Sequence, residues 1–138
     1  MIRYFLSFIL FLLISCSPLR LYQQLPEVKT WENDIRKFEQ LDSIKTYPEN
    51  ALLFAGSSSI LLWSTLAQDM APYPVIQRGY GGAKLSDFVV YAKRIIYPHL
   101  CRAIVIFIAN DITGGEKDKK PEEVAKLLTI QSPGQQSV

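Results

Sequence analysis

Hydrophobic positions change spacing several times along this chain, and each change marks an expected element. Trp31, Ile35, Phe38 and Leu41 recur at helical intervals, which predicts a helix over 31–42. Thr30 precedes it, and Asn33 and Asp34 fall in its first turn, as expected for a helix start. Three short apolar runs then alternate with helical patterns. Ala51 to Ala55 ends in Gly56 and leads into a helical pattern from Ile60 to Met70. Pro74 to Gln77 ends in RGYGG and leads into a pattern from Leu85 to Ile96. Arg102 to Ala109 ends in Asn110-Asp111, and Pro121 opens a last helix with Glu122 and Glu123 at its positive end. Strands apolar on both faces, separated by helices, predict an α/β fold with a parallel sheet covered on both sides. In such sheets ligands bind beyond the carboxyl ends of the strands. The turns GSSS, GYGG and ANDI all fall at those ends.

The start of the chain follows neither pattern. Arg3 precedes an apolar stretch from Tyr4 to Ile14, which is too short for a membrane span of ~20 residues and has the length of a secretory h-region. Leu13-Ile14-Ser15-Cys16 resembles a bacterial lipobox, which implies cleavage before Cys16 and lipidation of its thiol. An ordinary signal peptide cut near Ser15 is the alternative. The expected organisation is a signal peptide (1–15), a lipid-anchored tether without clear period (16–30), one domain (31–128) and an irregular tail (129–138). The lipobox reading places the protein in the cell envelope, as a membrane-anchored bacterial lipoprotein.

Charge and cysteine usage remove several function classes. The formal charge of +2 includes Arg3, so the remainder is near neutral and carries no nucleic-acid footprint. With Cys16 assigned to the lipobox, Cys101 stands alone and no disulfide framework is expected. One histidine, His99, and no cysteine cluster argue against a structural zinc site. GYGGAK has Lys84 where a dinucleotide fingerprint has its third glycine, and no Walker-type Gly-Lys-Ser/Thr occurs.

Three ordered blocks carry a more specific signal. Gly56-Ser57-Ser58-Ser59-Ile60 with Trp63, Arg78-Gly79-Tyr80-Gly81-Gly82, and Ile108-Ala109-Asn110-Asp111 together resemble the SGNH (GDSL-type) esterases and acylhydrolases, over roughly residues 48–125. The resemblance implies a three-layer, flavodoxin-like parallel sheet. It implies Ser58 as the nucleophile, with an oxyanion hole formed by the backbone N–H groups of Ser58 and Gly82 and the side chain of Asn110. Ser57 stands where the family has aspartate, and Ile108 where it usually has glycine. Donors of this kind contribute ~3 to 4 kcal/mol each in acyl transfer. Ser57 and Ser59 read as turn and helix-start residues. Tyr80 and Trp63 read as packing residues, Lys84 as a surface charge, and Asp111 as a helix cap or supporting hydrogen bond.

The resemblance also implies a histidine base in a late Asp-x-x-His block. None of the six aspartates here is followed by histidine three residues later. His99 precedes the third strand, and eight or more extended residues put it roughly 25 Å from Asn110 at the other end. A base must come within about 3 Å of the hydroxyl. No catalytic acid or base is therefore assigned in this chain. The expectation is a domain truncated after the third strand and following helix, open at one sheet edge and nearly inactive alone. The implied partner is a small-molecule or glycan ester, with O-acetylated carbohydrate as one candidate, and no metal or organic cofactor is implied. The alternative is a non-catalytic surface lipoprotein that binds an ester or glycan.

Overall fold

A computed structural model describes residues 18–130, so the segment expected as a signal peptide (1–15), Cys16 and residues 131–138 lie outside the described residues. The elements are α1 (Pro18–Gln24), α2 (Pro26–Lys29), α3 (Glu32–Ile44), β1 (Leu52–Gly56), α4 (Ser58–Leu61), α5 (Leu66–Asp69), β2 (Val75–Gly79), α6 (Leu85–Ile95), β3 (Ala103–Phe107) and α7 (Pro121–Ile130). The strands form one parallel sheet in the order β2-β1-β3. Gly56 pairs with Gly79 on one side and Phe107 on the other, so all three strands end at one level.

Side-chain alternation along β1 divides the interior. Leu53 and Ala55 join Ile76 in the larger core, beneath Val28 of α2, Ile35 of α3, Phe88 and Ile95 of α6 and Leu127 of α7. Phe54 and Leu52 point the other way, with Val75, onto Ile60 of α4 and Leu66 of α5. Full burial of a leucine, isoleucine or phenylalanine contributes about 1.5–3 kcal/mol, which is what holds helices to both faces. The layered α/β fold expected from the runs is the one observed.

Five expected elements differ in detail. Residues 18–29 form two short helices instead of a tether, with Val28 fully buried and the Tyr91 hydroxyl donating to its carbonyl at 3.1 Å. Pro18 and Pro26 each sit at a helix start, where proline has no N–H to lose, so they punctuate the segment without breaking it. Thr30 closes α2, its hydroxyl donating to the Pro26 carbonyl, and Trp31 is the residue that caps α3.

The helix expected over 60–70 is two short helices. The Trp63 indole N–H and the Thr65 hydroxyl both donate to the Asp69 carboxylate, at 2.6 and 2.7 Å. These local bonds offer the chain a turn in place of a continuous helix. The third strand, expected over 102–109, spans only Ala103–Phe107 and is an edge. Ile104, Val105, Ile106 and Phe107 remain 41–49% exposed, so among the described residues the sheet is covered on both faces at β1 but not at β3. The last helix runs to Ile130, past the expected limit of 128.

Candidate active site

The three turns singled out in the sequence meet at the shared carboxyl end of the strands and are hydrogen-bonded to one another. The Ser57 N–H donates to the Phe107 carbonyl at 3.1 Å, joining the first turn to β3. The Tyr80 N–H donates to the Gly56 carbonyl at 3.0 Å, joining the second turn to the first. The Asn110 side-chain amide donates to the Ala83 carbonyl at 2.9 Å, joining the third turn to the second. Asp111 accepts from the Leu85 N–H at 2.6 Å and pairs with Lys119 at 2.7 Å, which caps α6 and ties in the loop before α7. The helix-cap role expected of Asp111 is therefore observed.

Ser58 is the first residue of α4 and is half-buried, with Ser57 buried before it and Ser59 exposed after it. A helix's first N–H groups have no partner within the helix, so the Ser58 amide stands where it can donate outward. Two glycines allow close backbone packing around this turn. Gly56 has φ of +150°, and a Cβ there would lie 2.0 Å from the Phe107 carbonyl oxygen. At Gly79 a Cβ would lie 2.2 Å from the Leu61 nitrogen, so α4 rests directly on the β2 backbone. Gln77 adds a side-chain bond to the Ile60 carbonyl at 2.5 Å.

Gly82 has open space around it on the protein side. It is exposed, and a Cβ would meet nothing within 4 Å. In the second turn it is Gly81 whose surroundings require glycine, because its Cβ would come within 2.4 Å of the Trp31 ring. Tyr80 is buried against Trp31 with ring centroids 5.5 Å apart, and Trp63 packs edge-on to Phe54 at 5.9 Å. Both are packing residues, as expected, and Lys84 is exposed.

No family model matches the chain, and no curated protein matches it. Among solved structures, a Streptococcus pneumonia protein provisionally described as a platelet activating factor superposes with a TM-score of 0.62 at 22% identity. The alignment covers 74% of this chain and 46% of that one, so the chain spans less than half the length of this neighbour. The α/β fold is shared. At this identity the likeness carries the fold alone.

His99 lies in the loop after α6, beyond the amino end of β3, away from the three turns. The five residues of β3 interpose roughly 15 Å. It is not an ordinary loop residue, however. Its side chain is 4% exposed, with Nε2 3.4 Å from Asp42 and 3.5 Å from Arg78, and its ring lies edge-on to Tyr47. Burial, foremost, and the Arg78 charge push its pKa down, while Asp42 pulls it up. Among the described residues, no three of His, Cys, Asp and Glu converge closely enough to hold a metal ion.

Asp87 is the titratable group near these turns that the sequence did not single out. Its carboxylate reaches back to the Lys84 N–H at 2.9 Å, one half of a capping box at the start of α6. Burial raises its pKa to about 6, opposed by that backbone hydrogen bond and reinforced by Asp111. The folded state thus holds this proton more tightly than the unfolded chain between about pH 4 and 6. The resulting stability is full below pH 4 and lost as pH rises through about 6. Asp87→Asn keeps the oxygen acceptor without the charge. Denaturant titrations of this variant at pH 4, 5, 6 and 7 are expected to show a flatter stability profile than the parent between pH 4 and 7.

Proposed function

We propose that this chain carries the nucleophile and oxyanion hole of a serine ester hydrolase of the SGNH type, without the base that completes it. The observation that supports the reading is the hydrogen-bonded junction of three turns, with Ser58 on the first, Gly82 on the second and Asn110 on the third. In this reading the Ser58 oxygen attacks an ester carbonyl and expels the alcohol, leaving an acyl group on Ser58. The Ser58 and Gly82 N–H groups and the second N–H of the Asn110 amide receive the oxyanion. Water then attacks the acyl-enzyme, and the acid departs. The proton leaving Ser58 needs an acceptor, and His99 is held at the other end of the sheet. Localisation in the cell envelope through a lipid on Cys16 belongs to the same proposal, as does an ester of a small molecule or glycan as substrate.

Losing a triad histidine lowers turnover by ~10⁴–10⁶. With 4-nitrophenyl acetate, the 138-residue chain is expected to turn over within about twofold of its Ser58→Ala variant. Added imidazole, a diffusible stand-in for the base, is expected to raise the parent rate above that variant. Turnover without imidazole that disappears in His99→Ala would contradict the reading, since His99 would then reach the serine. The second reading is a surface protein that binds an ester or glycan without cleaving it, and the remote position of His99 favours it for this chain alone. Ester binding with no excess rate over Ser58→Ala at any imidazole concentration would select it.

A further inference from the structure

We infer that β3 is a docking edge for a second copy of this chain, and that two copies join there, antiparallel, into one six-stranded sheet. Among the described residues β3 has β1 on one side and no strand on the other, so one row of its backbone N–H and C=O groups is open for pairing. The strand reads Ala103-Ile104-Val105-Ile106-Phe107, with no charge, proline or glycine to blunt that edge. Ile104 and Ile106 stand in register with Leu53 and Ala55, on the face of the larger core. Val105 and Phe107 stand in register with Phe54 and Gly56, on the opposite face. All four are close to half exposed, so apolar surface flanks the open edge above and below.

The apolar surface continues beyond the strand. Tyr97 and Leu100, 57% and 72% exposed, line an open hollow with Ile104, and the exposed Glu49 lines it too. About half the area of these six large apolar side chains, with the backbone edge of the strand, is on the order of 600 Å² per copy. Two copies together then bury roughly 1,200 Å², the lower end of what specific interfaces use.

The sequence of the edge selects the occupant. A second β3 offers the same open backbone and the same uncharged faces, so the surface is complementary to itself and a two-fold axis closes the pair. Direction follows from Arg102, the charge that precedes the strand. A parallel pair would set it against Arg102 of the second copy, whereas an antiparallel pair centred on Val105 sets it against Ile108. The same register puts Ile104 opposite Ile106 and Ala103 opposite Phe107, small against large, and keeps each face of the joined sheet continuous. The two sets of turns then lie at opposite ends of that sheet. Nothing in the pairing depends on the chemistry at Ser58.

Sedimentation velocity of the full 138-residue chain from about 1 to 100 µM is expected to show one copy passing to two, as suits an interface of this size. Val105→Lys sets like charges opposite each other on the two-fold axis. It is expected to raise the dissociation constant about tenfold or more, with the circular dichroism of the parent retained. Opposite residues of an antiparallel pair have Cα atoms ~4.5–5.5 Å apart, within disulfide reach. Oxidised Val105→Cys is therefore expected to form a 105–105 disulfide between copies, located by mass spectrometry after digestion. Ile104→Cys is expected to cross-link to Ile106→Cys in a mixture of the two variants, and not to itself. A chain that stays single at 100 µM overturns the inference and leaves the edge to a different polypeptide. So does association unchanged by Val105→Lys, which would run through another surface, such as the apolar stretch 4–14. A 104–104 disulfide, the mark of a parallel pair, overturns it as well.

Discussion

Asp42→Ala is expected to cost the fold about 3–5 kcal/mol, the usual consequence of leaving a buried charge without its partner. Arg78 is that charge. Its side chain is 1% exposed, its guanidinium lies between the rings of Phe38 and Tyr47 at 5.2 and 5.1 Å, and Asp42 supplies its carboxylate. Removing the carboxylate leaves the buried guanidinium without its counter-charge, with the Gln77 carbonyl as its remaining oxygen acceptor. Urea unfolding followed by circular dichroism is the measurement, and the expected result is a chain at or near the limit of folding. Arg78→Met combined with Asp42→Leu removes both charges at once and is expected to recover most of the loss. His99 adds a pH dependence to the same cluster. Its charged form is disfavoured in the folded state, so the stability it carries is present above its ordinary value near 6.5 and declines as pH falls through it.

The second large effect is expected at Gly56. Alanine there must adopt φ near +150°, a region that costs about 1–3 kcal/mol for a residue with a Cβ. It must also push the Phe107 carbonyl away from a Cβ that would otherwise lie 2.0 Å from it. That carbonyl accepts the Ser57 N–H, so relief of the clash breaks the bond that fixes the first turn to β3. Gly56→Ala is expected to destabilise the chain by about 3 kcal/mol or more in the same urea assay. Gly82→Ala, which meets no neighbouring atom, is expected to leave stability within about 0.5 kcal/mol of the parent. The contrast separates a glycine the fold requires from one that only a bound substrate would require.

Much of this was legible in the sequence because it is local. Continuous apolar runs ending in glycine or Asn-Asp identify buried parallel strands and their carboxyl ends, and the observed sheet follows them. Asp111 as a cap and Trp63 and Tyr80 as packing residues also follow from residue type and position. Long-range contacts were not legible. Arg78 reads as a charge next to a glycine-rich turn, yet it is buried against Asp42, 36 residues away, and no periodicity announces that pairing. His99 enters the same cluster from a third segment. The helical pattern over 60–70 was broken by a cluster of bonds on Asp69, a competition that helical spacing does not register. In residues 18–29, helix-start prolines looked like the prolines of a linker. The signal in Asp87, a carboxylate three residues into a helix, was there to be read as half of a capping box. Its raised pKa was not, because that comes from burial.

Covalent labelling distinguishes Ser58 from Ser57 and Ser59 as the nucleophile. The full chain is incubated with an alkyl fluorophosphonate in the presence of imidazole, digested, and the modified residue located by mass spectrometry. A single phosphonylated site is expected at Ser58, formed faster as imidazole is raised and lost in Ser58→Ala. Modification at Ser57 or Ser59, or no modification of this turn while the chain remains folded, would contradict it.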